Sequence, residues 1–456
     1  MDILLTHGYH LAGDPAEERI MKPYVPLGIL SIAAYLGREG FRAGVFDTTF
    51  ESPSAFAHHL ATHRPPLVGI YVNMMTRTSA LAMVRAARAA GAFVIVGGPE
   101  PPYYAAEFLA GGADAVVIGE GELTVTDLLR LPDRSADRLR SVAGIAFRDE
   151  TGAVVTTPPR PQIADVDALP FPDRSKAPIR NYLEAWRGRH GYASLSLIAQ
   201  RGCPYTCKWC SHAVYGESYR RRSPRLVVEE LMHLRDAYTP DAFWFADDVF
   251  TINHRWMFEF EKELLARAGP VRYECITRAD RLNEEIVRAL KSTGCTRVWI
   301  GSESGSQRIL DAMSRGVRVE QVQAMTRLAR SAGIEVGMFI MLGYPGETRR
   351  DIEATVRHLK KAQPDIVLTT VAYPIKGTTF YEESSRDLIL PELPFAEWND
   401  RMIGIAGRYT RRFYWFANRR VINEAAWSLR RSRGIGGATR AFLKAKAAQV
   451  GMYLTH

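Results

Sequence analysis

Three cysteines stand within eight residues of one another, at Cys203, Cys207 and Cys210. Thiolates are soft ligands that suit iron–sulfur clusters and zinc. A cubane cluster usually takes four thiolates, so three would leave one iron open to a substrate or cofactor. Structural zinc with His212 as the fourth ligand is the alternative, although zinc ligands usually come as two separated pairs. The spacing therefore favours a [4Fe–4S] cluster with one open iron.

The cysteines follow the first of six apolar runs that alternate with helical patterns, which places them on a loop at a strand end. We predict strands at 195–199, 243–246, 273–276, 298–300, 336–341 and 367–371. Six consecutive βα units favour a partial barrel over another open sheet. Cys275 and Cys295 fall on a predicted strand and at a helix-to-strand turn, where a buried apolar role is expected.

An earlier βα series occupies the first 135 residues. Its predicted strands are 3–6, 43–46, 67–72, 93–96 and 115–118. Five such units predict a Rossmann-like, doubly wound parallel sheet covered by helices on both faces. Gly97 and Gly98 follow the fourth strand, and Gly119 and Glu120 follow the fifth. Ligands of such sheets bind at the carboxyl ends of the strands, where these loops lie.

The α/β fold class therefore divides into four regions. These are an α/β domain at 1–135, a hairpin and Pro-rich linker at 136–190, a partial barrel at 191–385 and a basic helical region at 386–456. Residues 142–155 are predicted to form the hairpin, with its turn at 150–152.

Composition restricts the class and compartment of the protein. Five cysteines in 456 residues are no disulfide framework and indicate a reducing compartment. No apolar run approaches the roughly 18–20 residues that span a bilayer, and the N-terminus does not resemble a secretory signal. These features predict a cytoplasmic protein.

Positive charge is concentrated at the C-terminus. The net charge is +9, and residues 401–456 hold twelve Arg or Lys against Glu424 alone, so the remainder sums to −2. A helix at 441–454, with Phe442, Leu443, Val450 and Leu454 apart from Lys444 and Lys446, could contact an anionic membrane, cap the barrel or bind an acidic substrate. No nucleic acid is expected, because no recognised RNA or DNA module accompanies the charges.

The cysteine spacing, its strand-end position and Trp209 together resemble the radical S-adenosylmethionine (SAM) superfamily. Segments 245–251, 277–280, 301–305 and 343–348 are similar to family elements that line the SAM pocket. The resemblance implies that SAM binds the open iron and that flavodoxin or ferredoxin supplies an electron. It implies SAM contacts from Trp209, Arg278, Glu303, Gly301, Gly343 and Gly346. For Arg278 and Glu303, the alternative is an internal salt bridge inside the barrel.

The preceding α/β domain resembles the cobalamin-binding domain of B12-dependent radical SAM enzymes. The resemblance implies cobalamin contacts from Tyr71, Asn73, Met74, Gly97, Gly98, Gly119 and Glu120. For residues 71–74, the alternative is that the segment merely closes the sheet edge. The Asp-x-His-x-x-Gly motif of many B12 proteins is not intact, since Gly8 replaces the aspartate two residues before His10. Without that carboxylate, His10 is expected to be a solvent-facing loop residue and not a cobalt ligand.

These resemblances imply a cobalamin-dependent radical SAM methyltransferase that acts on an unactivated carbon of a small-molecule or lipid substrate. Two alternatives stay open. One is a radical cyclase, oxidase or rearrangement enzyme without methyl transfer. The other is a non-catalytic regulator that binds cobalamin or a metal.

Overall fold

The computed structural model describes residues 1–12, 14–434 and 436–455. Gly13 of the incomplete histidine motif, and residues 435 and 456 of the basic region, lie outside the described residues. Its framework is two large sheets, of which the first is mostly parallel and the second is wholly parallel. The first sheet consists of β1 (Ile3–His7), β2 (Ala43–Phe46), β3 (Leu67–Tyr71), β4 (Phe93–Gly97), β5 (Ala115–Val117), β6 (Ile145–Arg148) and β7 (Val154–Thr156).

The first sheet has the strand order β2-β1-β3-β4-β5-β6-β7, in which β1 to β5 run parallel. Alternate residues of its strands pack on opposite faces, because side chains of a strand alternate in direction. Leu4 belongs to the core on one face, whereas Ile3 and Leu5 belong to the core on the other. The strand order reverses at β1, the position where such sheets bind ligands.

The hairpin formed by β6 and β7 extends the first sheet. β6 pairs antiparallel with β5, and β7 pairs antiparallel with β6. The sequence predicts this hairpin but places it in a linker region, outside the first sheet. The pairing of β6 with β5 satisfies the backbone groups along the open edge of β5, which would otherwise be exposed.

The second sheet has the strand order β8-β11-β12-β13-β14-β15, and all six strands are parallel. Its two edge strands, β8 and β15, do not pair with each other, as in an open, partial barrel. The predicted fold class is therefore confirmed. Two short antiparallel ladders, β9 with β10 and β16 with β17, lie outside it. These strands are β8 (Ser194–Leu197), β9 (Gln200–Arg201), β10 (Arg220–Arg221), β11 (Ala242–Phe245), β12 (Tyr273–Thr277), β13 (Cys295–Glu303), β14 (Glu335–Leu342), β15 (Ile366–Val371), β16 (Leu388–Ile389) and β17 (Gly404–Ile405).

Helices separate the strands and cover both sheets. They are α1 (Pro15–Ile20), α2 (Leu27–Arg38), α3 (Ala55–His63), α4 (Arg77–Ala89), α5 (Ala105–Ala110), α6 (Gly121–Arg130), α7 (Ala136–Leu139), α8 (Ile179–His190), α9 (Pro224–Tyr238), α10 (His254–Arg267), α11 (Glu284–Ser292), α12 (Gln307–Ala312), α13 (Val319–Ser331), α14 (Arg349–Ala362), α15 (Thr379–Glu383), α16 (Arg411–Ser432) and α17 (Ala438–Leu454). Within the described residues, no helix is long and apolar enough to cross a membrane.

The hydrophobic core of the barrel extends to helix α2 of the N-terminal domain. It includes Leu30 of α2, Trp186 of α8, many barrel residues and Phe413 of α16. The two faces of the first sheet have cores of their own, so α2 connects the N-terminal domain to the barrel core.

Candidate functional site

A cavity of about 850 Å³ lies between the carboxyl ends of the two sheets. Its N-terminal wall contains Gly69 and Tyr71 of β3, Gly97 of β4, Gly98 and Gly119. Its barrel wall consists of the cysteine loop and the ends of several barrel strands. Cavities where two domains meet at strand ends are common cofactor sites.

All three loop cysteines line this cavity. The loop leaves the barrel at β9 and returns at β10, and Arg201 pairs with Arg220 across this antiparallel neck. Gly202 has a φ of +80°, and an added Cβ would collide with the Ser218 carbonyl oxygen. The neck therefore requires glycine directly before Cys203, and the loop that it closes carries all three cysteines.

Two arginines direct positive charge at Cys207. The Nη1 atoms of Arg278 and Arg315 lie 3.8 Å and 3.7 Å from its Sγ. A hydrogen bond from Cys210 and the two guanidinium groups lower the pKa of Cys207 to about 5, although burial opposes them. A thiolate held this way is the form that ligates iron. Burial raises the pKa of Cys203, and the hydrogen bond to Cys207 raises that of Cys210, so Cys207 is the cysteine that the site holds as a thiolate.

The zinc alternative is not assembled. His212 places its Nδ1 3.3 Å from the carbonyl oxygen of Gly216. Among the described residues, no three His, Cys, Asp or Glu side chains are gathered into a site for a single metal ion. The loop cysteines and His212 therefore do not form the closed tetrahedral set that structural zinc needs.

Four residues predicted to contact SAM lie on the barrel wall: Trp209, Arg278, Gly301 and Glu303. Glu303 has a φ of +59°, and burial raises its pKa to about 7. Its Oε1 lies 4.0 Å from the Nε of Arg315. Non-glycine residues with positive φ are often found at functional sites, because the surrounding structure must hold them there.

Arg278 is already engaged by other groups. Its Nε and Nη2 donate to the two carboxylate oxygens of Asp280, at 2.8 Å and 3.1 Å, and its guanidinium stacks on Tyr205. This is an internal salt bridge, as the alternative held, but Asp280 is the partner. Sequence analysis missed Arg315, which donates to the Gly301 carbonyl oxygen at 2.8 Å. No motif marked it, because it approaches the site from the turn after α12.

The structure places Gly343 and Gly346 away from the cavity lining. A Cβ on Gly343 would meet the Arg408 guanidinium and the Tyr414 ring, so this glycine accommodates α16 and its preceding loop. The Gly343 N–H donates to the Glu347 carboxylate at 2.5 Å. The loop is thus occupied with closing the barrel end against the C-terminal region.

On the N-terminal wall, the structure gathers Tyr71, Gly97, Gly98 and Gly119 at the cavity. Gly98 has a φ of +112°, and a Cβ there would collide with the Val72 carbonyl oxygen. Glycine at this position leaves bare backbone at the end of β4.

Asn73 and Met74 are not part of the cavity lining. The Asn73 Oδ1 accepts hydrogen bonds from the backbone N–H groups of Met75 and Thr76, so its side chain shapes the turn before α4. His10 is partly exposed, and its Nδ1 lies 3.1 Å from the Glu51 carbonyl oxygen, as expected of a loop histidine.

Glu120 lines the cavity, but its carboxylate is bound within a network that joins the two walls. Arg201 donates to Glu120 at 2.6 Å and to Glu122, and Arg220 donates to Glu120 at 2.7 Å. Both carboxylates are buried. Sequence analysis assigned Glu120 to cobalamin and missed its partners, which lie about eighty to a hundred positions further along the chain. The network ties the loop after β5 to the neck of the cysteine loop.

Comparisons with known proteins show the family of this chain. The radical SAM superfamily model matches residues 197–359, and the B12 binding domain model matches residues 19–129. An uncharacterized methyltransferase of Pyrococcus horikoshii is 30% identical over 365 residues, covering 78% of each chain. The anaerobic magnesium-protoporphyrin IX monomethyl ester cyclase of Cereibacter sphaeroides is 27% identical and covers 98% of this chain and 75% of its own.

A solved structure shares the fold. The radical SAM methyltransferase TsrM of Kitasatospora setae, with cobalamin and a [4Fe–4S] cluster bound, superposes with a TM-score of 0.70 at 19% identity, covering 88% of this chain and 79% of that one. The chain belongs to the radical SAM superfamily, among the members that carry a B12-binding domain. The predicted family is confirmed, and the protein is an enzyme.

Proposed function

We propose that this enzyme is a cobalamin-dependent radical SAM methyltransferase that acts on an unactivated carbon of a small molecule or lipid. The observation that carries the proposal is the single cavity lined by both the three cysteines and the glycine-rich strand ends of the B12-binding domain. Relatives named as methyltransferases support the reaction class.

Each wall would hold one cofactor. Cys203, Cys207 and Cys210 would ligate a [4Fe–4S] cluster, and the wall of Gly97, Gly98 and Gly119 would hold cobalamin. When bound, the cluster with SAM supplies a 5′-deoxyadenosyl radical, and cobalamin supplies the methyl group. Arg278 and Arg315 stabilise the Cys207 thiolate that the ligand set requires.

Glu303 is the side chain on the barrel wall best placed to orient SAM. Its carboxyl group is 4.0 Å from its nearest guanidinium, so it keeps hydrogen-bonding capacity for a ligand amino or hydroxyl group. The Arg278 guanidinium already donates two hydrogen bonds to the Asp280 carboxylate. We therefore expect Arg278 to act on the cysteine loop and Glu303 to contact SAM.

The reaction needs an electron, which we assign to a small carrier such as flavodoxin or ferredoxin in the cytoplasm. The test is anaerobic reconstitution with a chemical reductant, SAM and pools of candidate metabolites. A methyltransferase yields both 5′-deoxyadenosine and S-adenosylhomocysteine, together with a product heavier by a methyl group. Deoxyadenosine with an altered but unmethylated product would refute methyl transfer.

A radical cyclase or oxidase is the second candidate. It is favoured by the match to the cyclase relative, which spans 98% of this chain. The same assay separates the two reactions, because a cyclase releases no S-adenosylhomocysteine. Replacing all three loop cysteines with alanine tests the regulator alternative: a regulator that merely binds cobalamin would keep its function.

A further inference from the structure

Helix α17 packs against the rest of the protein mainly through small residues, and it leaves several large apolar side chains exposed. The buried residues of α17, which packs along α16, are Ala441, Ala445, Ala448, Gly451 and one larger residue, Met452. Gly451 is required there, since a Cβ would collide with the Phe416 ring. The helix thus sits close to α16 and buries Met452, while several other large apolar side chains stay exposed.

The outward face carries a continuous apolar stripe. Leu443, Val450 and Leu454 are 61%, 57% and 79% exposed, and Ala447 is exposed between them. Their spacing, i, i+4, i+7 and i+11, places them on one side of the helix. Isolated exposed leucines are ordinary, but a helical stripe of them marks an interaction surface.

Positive charge borders this stripe. Arg440 and Lys444 are exposed, and within the described part of the chain no carboxylate lies within 4.0 Å of either. Glu424, the single acid between residues 401 and 456, is buried in α16 and paired with Lys360. The exposed surface around α17 therefore offers cations and apolar side chains together.

Helix α16 repeats this combination on its own exposed side. Trp415 is 51% exposed, with the Arg419 guanidinium stacked 3.7 Å from its ring centre, and Ile422 is 41% exposed. Aromatic rings and long cationic side chains favour the boundary between water and lipid, because each has an apolar body and a polar end.

We propose that α17 lies on the surface of an anionic lipid bilayer, with its apolar stripe at the headgroup boundary and its cations on lipid phosphates. A bilayer fits better than a protein partner, because the stripe stands on a convex helix and the bordering charge is of one sign.

The test is sedimentation of the full-length protein with vesicles of phosphatidylcholine, or of an equal mixture of phosphatidylcholine and phosphatidylglycerol. We expect about fivefold or more binding to the anionic vesicles, and a decrease at high salt because salt screens the attraction. Arg440→Glu with Lys444→Glu should abolish the preference, and Leu443→Ser with Val450→Ser should weaken binding. These side chains are exposed, so thermal unfolding should be unchanged.

The matched control is Phe258→Ser with Leu265→Ser on α10, where two apolar side chains are 39% and 41% exposed. This variant should bind like the parent protein. Equal binding to both vesicle types, or α17 variants that behave like the control, would overturn the proposal. So would concentration-dependent dimerisation that Leu443→Ser with Val450→Ser abolishes, since a second copy would then cover the face.

Discussion

The two walls of the central cavity are built on different physical principles. The N-terminal wall exposes backbone, because Gly97, Gly98 and Gly119 lie at strand ends where side chains are excluded or absent. The barrel wall presents thiols and charged groups, with two guanidinium groups within 4 Å of Cys207. Bare backbone suits a broad, flat ligand, whereas converging charges suit a small polar one. The comparison supports one cofactor on each wall.

The largest effect should follow loss of a thiol from the barrel wall. Cys207→Ala removes a proposed cluster ligand, so we expect iron and sulfide content and SAM cleavage to fall to background. The matched control is Cys275→Ala, also a buried barrel cysteine. It should keep its iron and lose only about 1 kcal/mol of stability in urea unfolding. Equal iron loss in both variants would contradict the assignment.

The next largest effect should follow cutting the link between the walls. Arg201→Gln leaves the buried Glu122 carboxylate without its cation, so we expect a loss of about 3 kcal/mol in the free energy of unfolding. Arg225→Gln is the control, because its pair with Glu229 is exposed and should contribute about 0.5 kcal/mol or less. If both variants unfold at the same urea concentration, the network does not hold the walls together.

A smaller and more selective effect should follow when a side chain is added to a glycine of the N-terminal wall. Gly98→Ala puts a Cβ against the Val72 carbonyl oxygen, so we expect cobalamin affinity, measured by absorbance titration, to fall about tenfold or more, roughly 1.4 kcal/mol. Cluster content should stay unchanged. Gly152→Ala also has a positive φ, +82°, but has no atom within 4 Å of its added Cβ. Reduced affinity in this control as well would point to general backbone strain.

The smallest effect concerns the loop that matched a SAM motif but lies off both walls. Burial raises the pKa of Glu347 from 4.5 to about 8, so the folded state holds this proton more tightly than the unfolded chain. Stability from this group is present below pH 4.5 and is lost as pH rises to about 8.

Glu347→Gln should therefore flatten the pH dependence of the unfolding free energy in that window and leave SAM affinity unchanged. The exposed Glu150→Gln is the control and should alter neither quantity. A large loss of SAM affinity in Glu347→Gln would return this loop to the SAM site.

Much of this architecture could be predicted from the sequence. Strands buried on both faces appear as apolar runs, and the cysteine spacing is local, so both are visible without a structure. Of the two arginines at Cys207, only Arg278 could be predicted, because it belongs to a motif. Arg315 could not be predicted, because only the folded barrel brings its turn close to the cysteine loop. The network of Arg201, Arg220 and Glu122 was hidden for the same reason. Gly343 is the opposite case, because its motif is visible in the sequence but its place in the structure is not. It packs against Tyr414 and does not line the cavity.

The central claim is that one cavity holds an iron–sulfur cluster on its barrel wall and cobalamin on its glycine wall. The most direct measurement is metal and cofactor analysis of anaerobically reconstituted protein, with electron paramagnetic resonance of the reduced cluster before and after SAM is added. We expect about four irons per chain, stoichiometric cobalamin, and a cluster signal that SAM shifts. Bound zinc in place of iron, or a cluster signal indifferent to SAM, would contradict this claim.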